Sequence, residues 1–230
     1  MHAYEGIWLT PSLTHGSETR AVTVLRAYFD PEIRSGRGFT GGSWDTFDPA
    51  GTREESAHNF TPDDLVACSL LGTPIGGFAA LELLKPHSYL WDQLAAIDLE
   101  KDFAQLTSTD ADEFKQVRKL FRSLRDLPDV GETRATKLLA RKRPRLVPIV
   151  DSVITTHIFH NANTHWQPLH ESVTANDKQL WKHLQSLHQW AGLDPAVSTL
   201  RVFDVLAWMD GTGHSDTVLA MAPRNPNEPH

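Results

Sequence analysis

The stretch LPDVGETRATKLLARKRPRLVPIVDSVI, residues 127–154, decides how the chain is read, because it joins a tight turn, a basic helix and one isolated aspartate. In Asp126-Leu127-Pro128-Asp129-Val130-Gly131, Pro128 fixes its own φ and Gly131 is free to take a positive one, so a short connection between two helices is expected. Upstream, Phe114, Val117, Leu120, Phe121 and Leu124 recur at three- and four-residue spacings while Lys115, Arg118, Lys119 and Arg122 fall elsewhere, which predicts an amphipathic helix over 112–125. Downstream, Glu132 to about Arg141 predicts a second helix, with Ala135, Leu138 and Leu139 facing in and Arg134, Lys137 and Arg141 facing out. A helix that starts straight after a turn offers unpaired amides and the positive end of its dipole, a setting that favours a phosphate. Thr133, Arg134 and Lys137 lie within reach of an anion held there.

Pro144 and Pro148 keep the next seven residues out of a helix interior, and Asp151 then opens a new apolar run. Position alone makes Asp151 the N-cap of a helix over 152–160. A cap and a catalytic carboxylate are not exclusive roles.

Taken together, Leu127-Pro128-Asp129-Val130-Gly131 and, about twenty residues on, Pro148-Ile149-Val150-Asp151-Ser152 resemble the helix-hairpin-helix DNA glycosylase superfamily, related to endonuclease III and the alkyladenine glycosylases. In that family a Leu-Pro-Gly-Val-Gly turn opens a phosphate-gripping helix and the later aspartate stands at the sugar. The resemblance covers about residues 60–159 and implies a mainly α, two-lobed fold: a helical lobe over 60–140 ending in the hairpin, and a second lobe of 1–59 plus 141–221 carrying the catalytic Asp151. It implies double-stranded DNA as partner, with contacts from Val130, Gly131, Thr133, Arg134, Lys137, Arg141 and Arg143. Three departures stand out. Asp129 replaces the first glycine of the turn, which Asp tolerates because it visits the left-handed region more readily than most residues. Thr133 occupies the place where bifunctional members carry a Schiff-base lysine, so a monofunctional enzyme is expected. Cys68 is the single cysteine, so there is no iron-sulfur cluster.

The formal net charge of −7 opposes a generic nucleic-acid binder, yet half of the 22 cationic residues fall between Lys115 and Arg145. Such a local patch can bind phosphates while distant acidic faces keep the protein soluble. With 40% hydrophobic and 22% charged residues the chain reads as a soluble globular protein; it has no basic segment followed by an apolar run at its start and no eighteen apolar residues in succession, so neither an export signal nor a membrane span is expected. A single cysteine fits a reducing cytosol. A cytoplasmic monomer without cofactor is expected.

Elsewhere the pattern predicts an extended segment over 1–16 and helices over 18–29, 61–71, 75–84, 90–97, 178–190 and 200–208, with a disordered tail over 222–230. Thr61 is the expected N-cap of its helix, followed by Pro62 and two acids. The loop over 36–47 interleaves Arg37, Phe39, Trp44, Asp45 and Phe47 with glycines; Phe39, Trp44 and Asp45 are the candidates to stack on an extruded base and hydrogen-bond its edge. The alternative is a loop whose aromatics plug the core. His157, His160, His165 and His170 lie close in sequence, but only the first two share a helical face, and no metal site is expected there.

Breaking an N-glycosidic bond builds positive charge on the sugar, which a carboxylate stabilises while it orients a water. The expected activity is therefore excision of a damaged or modified base, leaving an abasic site. A roomy pocket would extend the range to a hypermodified base, such as glucosylated cytosine in phage DNA, and to a defence role. Two other readings stay open: a non-catalytic DNA-binding module that uses Asp151 only as a cap, and an unrelated helical enzyme acting on a small metabolite through the glycine-rich loop.

Overall fold

A computed structural model describes residues 2–30, 38–162 and 164–221. The fold is mainly helical. The first residues form a small antiparallel hairpin, β1 (His2–Tyr4) paired with β2 (Ile7–Leu9), whose connection Glu5-Gly6 has φ of 42° and 88°. Positive φ at both central residues matches the right-handed twist of the strands. Ile7 and Leu9 face the core, and Trp8 points the other way to stack on His160 with centroids 4.6 Å apart.

Ten helices follow among the described residues: α1 (Glu18–Phe29), α2 (Pro62–Leu70), α3 (Gly77–Leu83), α4 (Tyr89–Ala95), α5 (Asp112–Arg125), α6 (Glu132–Lys142), α7 (Ser152–His157), α8 (Trp166–Ala191), α9 (Thr199–Gly211) and α10 (His214–Met221). The start of α2 follows the expected chemistry. Thr61 and Asp64 each bond the other's backbone amide, a complete capping box, with Pro62 in the first turn. α8 is broken by non-helical residues from Ala175 to Lys178, three of which have positive φ.

α9 sits at the centre, packed on α1, α7, α8 and α10, and Leu200 to Ala207 are buried all round its circumference. A helix apolar on every side belongs in an interior. This one also carries Arg201 and Asp204 into that interior. The main core is continuous from Ile7 of β2 through Phe103 and Phe114 to Met209 of α9, and a smaller cluster gathers Trp44, Ala67, Ala140 and Ile149.

The glycine-rich loop turns through a short 3-10 helix, Thr40–Ser43, laid against α1. The approach is closer than any side chain permits: a Cβ on Gly42 would lie 2.4 Å from the Tyr28 carbonyl oxygen. A Gly42→Ala variant is expected to lose about 1–3 kcal/mol, the usual cost of overpacking, as a lower urea midpoint. Unchanged stability would show that the turn stands off α1. Arg37 and the tail over 222–230 lie outside the described residues.

Candidate active site

α5 and α6 form the expected hairpin, and the turn between them closes through the Val130 amide, which donates to the Leu127 carbonyl at 3.2 Å. Its positive-φ residue is Asp129, at 62°. Gly131, expected to need that conformation, instead has φ −78° and ψ −176° as the N-cap of α6. Among the described residues no side chain caps this helix start, so its first amides remain open to an anion. Arg134 braces the turn, donating to the Asp129 carbonyl at 2.9 Å and to the Pro74 carbonyl at 2.8 Å. Glu132 is drawn sideways towards His165, with Oε1 and Nδ1 3.3 Å apart.

The segment after α6 is tied back to it by Thr136, whose hydroxyl lies 3.2 Å from both the amide and the carbonyl of Val150. This places Asp151 beside α6 as the N-cap of α7, its Oδ1 accepting from the Ile154 amide at 2.9 Å. Asp151 lines a cavity of about 300 Å³. Phe39, Tyr28 and Trp208 form its aromatic wall, Leu70 and Leu71 its apolar rim, and Lys137, Arg201 and Asp204 join Asp151 at its charged end. Tyr28 and Phe39 stack with centroids 5.3 Å apart, and Trp208 meets Phe39 edge-on at 6.1 Å.

Arg201 organises the charged end. It pairs with Asp204 and with Asp45, donates to the Tyr28 hydroxyl at 2.8 Å and to the Gly41 carbonyl at 3.1 Å, and lies over the rings of Tyr28 and Trp44. Burial works against its charge, but Tyr28, Asp204 and Asp45 outweigh burial and hold it protonated. Burial pushes the Asp204 carboxyl up to about 6, against the pull of Arg201 and with a further push from Asp151. Burial also depresses the Lys137 ammonium, while Asp151 and Asp204 support its charge. Lys137 Nζ donates to the Leu71 carbonyl at 3.0 Å. Among the described residues Asp151 has no ion pair at contact distance, so it is the lining carboxylate left uncommitted to a guanidinium.

Several candidate residues are elsewhere than expected. Val130 is buried and its amide is used within the turn. Lys137 points inward to the cavity rather than outward to a phosphate, and Thr133 is half-buried beside it on α6. Arg141 and Arg143 are 2% and 1% exposed, so neither can grip DNA from outside. Arg141 pairs with Asp64 and donates to the Trp44 and Phe47 carbonyls; Arg143 donates to the carbonyls of Leu94, Ile97 and Ala57. Irregular loops leave carbonyls without ladder partners, and these guanidinium groups satisfy them. Lys142 is likewise buried against Asp64, and Arg145 is taken by Asp102 and Glu100.

In the proposed base pocket only Phe39 lines the cavity. Trp44 and Asp45 are each 1% exposed and stand behind the wall, Trp44 in the smaller core cluster and Asp45 on Arg201. Tyr28, Arg201, Asp204 and Trp208 were not legible as site residues, because each sits in a helical pattern that reads as core. The four clustered histidines disperse. His160 stacks on Trp8, His165 faces Glu132, His170 Nε2 meets the Leu106 carbonyl at 3.0 Å, and His157 packs beside Gly211.

Residues 21–211 match a family of unknown function, DUF6308, and the chain belongs to that family. No curated protein and no solved structure matches it. Among the described residues no helix is long and apolar enough to cross a membrane.

Proposed function

We propose that this protein is a monofunctional DNA glycosylase of two-lobed helix-hairpin-helix type, with residues 60–140 as the hairpin lobe and 1–59 plus 141–221 as the lobe that carries the carboxylate. The observation that supports this best is a shared boundary. The cavity that collects Asp151 is walled on one side by the second hairpin helix through Lys137. A duplex whose phosphate rests on the open amides of α6 would have an extruded nucleotide close to that opening.

In this reading Phe39, Tyr28 and Trp208 receive the flipped base by stacking and edge contact. Asp151 meets the charge that develops on the sugar and orients the attacking water; its Oδ1 bond to the Ile154 amide fixes the carboxylate plane. Arg201 holds Asp204 and the aromatic wall in place from behind. A cavity of about 300 Å³ is at the lower end of the roughly 300–1,000 Å³ of ligand pockets. That size favours a base with a small modification over a glucosylated cytosine. Exposed Phe78 and Leu81 share a face of α3, and Gly76 at the start of that helix lies against Asp129 of the turn. They are the apolar side chains best placed to fill the gap an extruded base leaves.

With Lys137, Arg141, Lys142 and Arg143 buried and Lys115 and Arg118 paired with Asp112 and Asp110, the hairpin cations without a carboxylate partner among the described residues are Lys119, Arg122, Arg125 and Arg134. Two to four phosphate contacts give a slope of log affinity against log salt of about −2 to −4. Duplex binding titrated between low and moderate salt checks this. A slope steeper than about −6 would place a much larger cationic surface on DNA, and no salt dependence would leave no phosphate grip at all.

The assay that tests the activity is incubation with duplexes carrying alkylated, oxidised, deaminated and hypermodified bases, followed by alkaline cleavage of abasic sites. The second reading, a non-catalytic DNA-binding module, draws on one observation: Asp151 already serves as a helix cap. Binding without cleavage of any substrate would favour it.

A further inference from the structure

Away from the cavity, the turn before α1 folds back over the later half of α8. Gly16, at φ 88°, makes that reversal, and Thr14 secures it with a 2.7 Å hydrogen bond to the Pro11 carbonyl and a 3.2 Å contact to Ser17. The reversal lays the His15 ring against that of His183, with centroids 4.1 Å apart. Glu18, the first residue of α1, closes the third side, its Oε1 accepting from the Gly16 amide at 2.9 Å. One ligand atom from each of these three residues lies within 4.8 Å of the other two.

His183 supplies an independent observation. The residue is 6% exposed, and its Nε2 is buried without a hydrogen-bond partner among the described residues. Buried ring nitrogens are almost always satisfied, so this one calls for a partner that the described residues do not provide. Burial, and then the neighbouring His15, hold the His183 imidazole towards its neutral form, with Glu18 opposing. The neutral imidazole is the form that ligates a metal.

We infer that His15, Glu18 and His183 form a three-ligand site for a divalent cation of the zinc class, with water in the fourth position. Two imidazoles and one carboxylate suit zinc and its first-row neighbours, whereas magnesium and calcium require oxygen ligands. Bonds of about 2 Å set tetrahedral ligand atoms about 3.3 Å from one another. Side-chain rotation of exposed His15 and half-buried Glu18 closes the remaining gap, with His183 as the fixed point. The ion would clip the N-terminal turn to α8, independently of whatever the cavity binds.

The test is calorimetric titration of the full-length, chelator-stripped protein with zinc chloride, beside magnesium chloride. One equivalent of zinc is expected to bind and to raise the melting temperature, with no effect of magnesium. His15→Ala and Glu18→Gln, both at accessible positions where folding is not at stake, are each expected to weaken that binding at least tenfold. Cobalt in place of zinc should give the visible absorption of a tetrahedral site in the parent and not in His183→Gln. Absence of a stoichiometric zinc event, or wild-type affinity in both His15→Ala and Glu18→Gln, would overturn the assignment.

Discussion

Asp151→Asn is expected to remain folded and to lose base excision by about two to three orders of magnitude, the scale on which removal of a group stabilising transition-state charge is felt. The two effects separate because asparagine caps helices about as well as aspartate. The bond from the Ile154 amide to Oδ1 can be kept by the asparagine carbonyl, so the start of α7 should hold. What disappears is the one lining carboxylate that, among the described residues, is not bound to Arg201. Alkaline strand scission of whichever substrate the parent cleaves, read beside the melting temperature, gives both numbers. Retained scission would remove Asp151 from the chemistry, and a large fall in melting temperature would mark it as a structural cap first.

Arg201→Met should produce the largest loss of stability in the molecule, about 3–5 kcal/mol. Removing one partner of a buried ionic cluster strands the other charges. Asp45 and Asp204 both lose their guanidinium, and Tyr28 and Gly41 lose a donor. For a chain of this size that corresponds to roughly 6–20 °C in melting temperature. The sign of the pH dependence follows from the carboxyls. Burial pushes Asp45 and Asp204 up even with Arg201 present, the latter to about 6, and the variant pushes both further. In the interval between the unfolded carboxylate value, near 4, and the folded one, the native state holds more protons than the unfolded state. Stability therefore falls as pH rises through that interval. Urea midpoints at pH 5 and pH 8 should show the variant's deficit smaller at pH 5. An equal deficit at both would mean that the carboxyls do not titrate in response.

The elements that were legible in the sequence are those whose signal is local. α1 and α5 have the bounds their apolar spacing gives, and the Thr61 capping box announces α2 before any tertiary contact is considered. The first half of α8 was missed because its inward face includes His170 and Ser172, which break the apolar pattern, and Pro168 stands in its first turn. Charge misled in a related way. Arg141, Lys142 and Arg143 read as a solvent-facing strip, but the carbonyls they bond across the fold belong to loops and to the end of α4, 46 to 97 residues away in sequence. Nothing local to a basic run says whether its partners are phosphates or the chain's own backbone.

The site divides along the same line. Asp151 was picked out by its interval from the turn, and Phe39 by the company of glycines around it. Arg201 and Asp204, by contrast, lie three apart on a helix whose neighbouring positions, Leu200 to Ala207, are core, so only the packing of α1, the 38–41 turn and α9 around one space reveals them. A sequence pattern can point to residues that would meet a ligand; it carries little about the residues that hold those in place.

The reading rests on one stretch of DNA touching both the start of α6 and the cavity at Asp151. A crystal structure with a duplex carrying an abasic-site analogue tests this directly, since it needs no knowledge of the excised base. A phosphate on the amides at residues 131–133 and the analogue's sugar turned out towards the Asp151 carboxylate are expected. A duplex bound on another face, or a sugar left stacked in the helix with the cavity facing away from it, would contradict the reading.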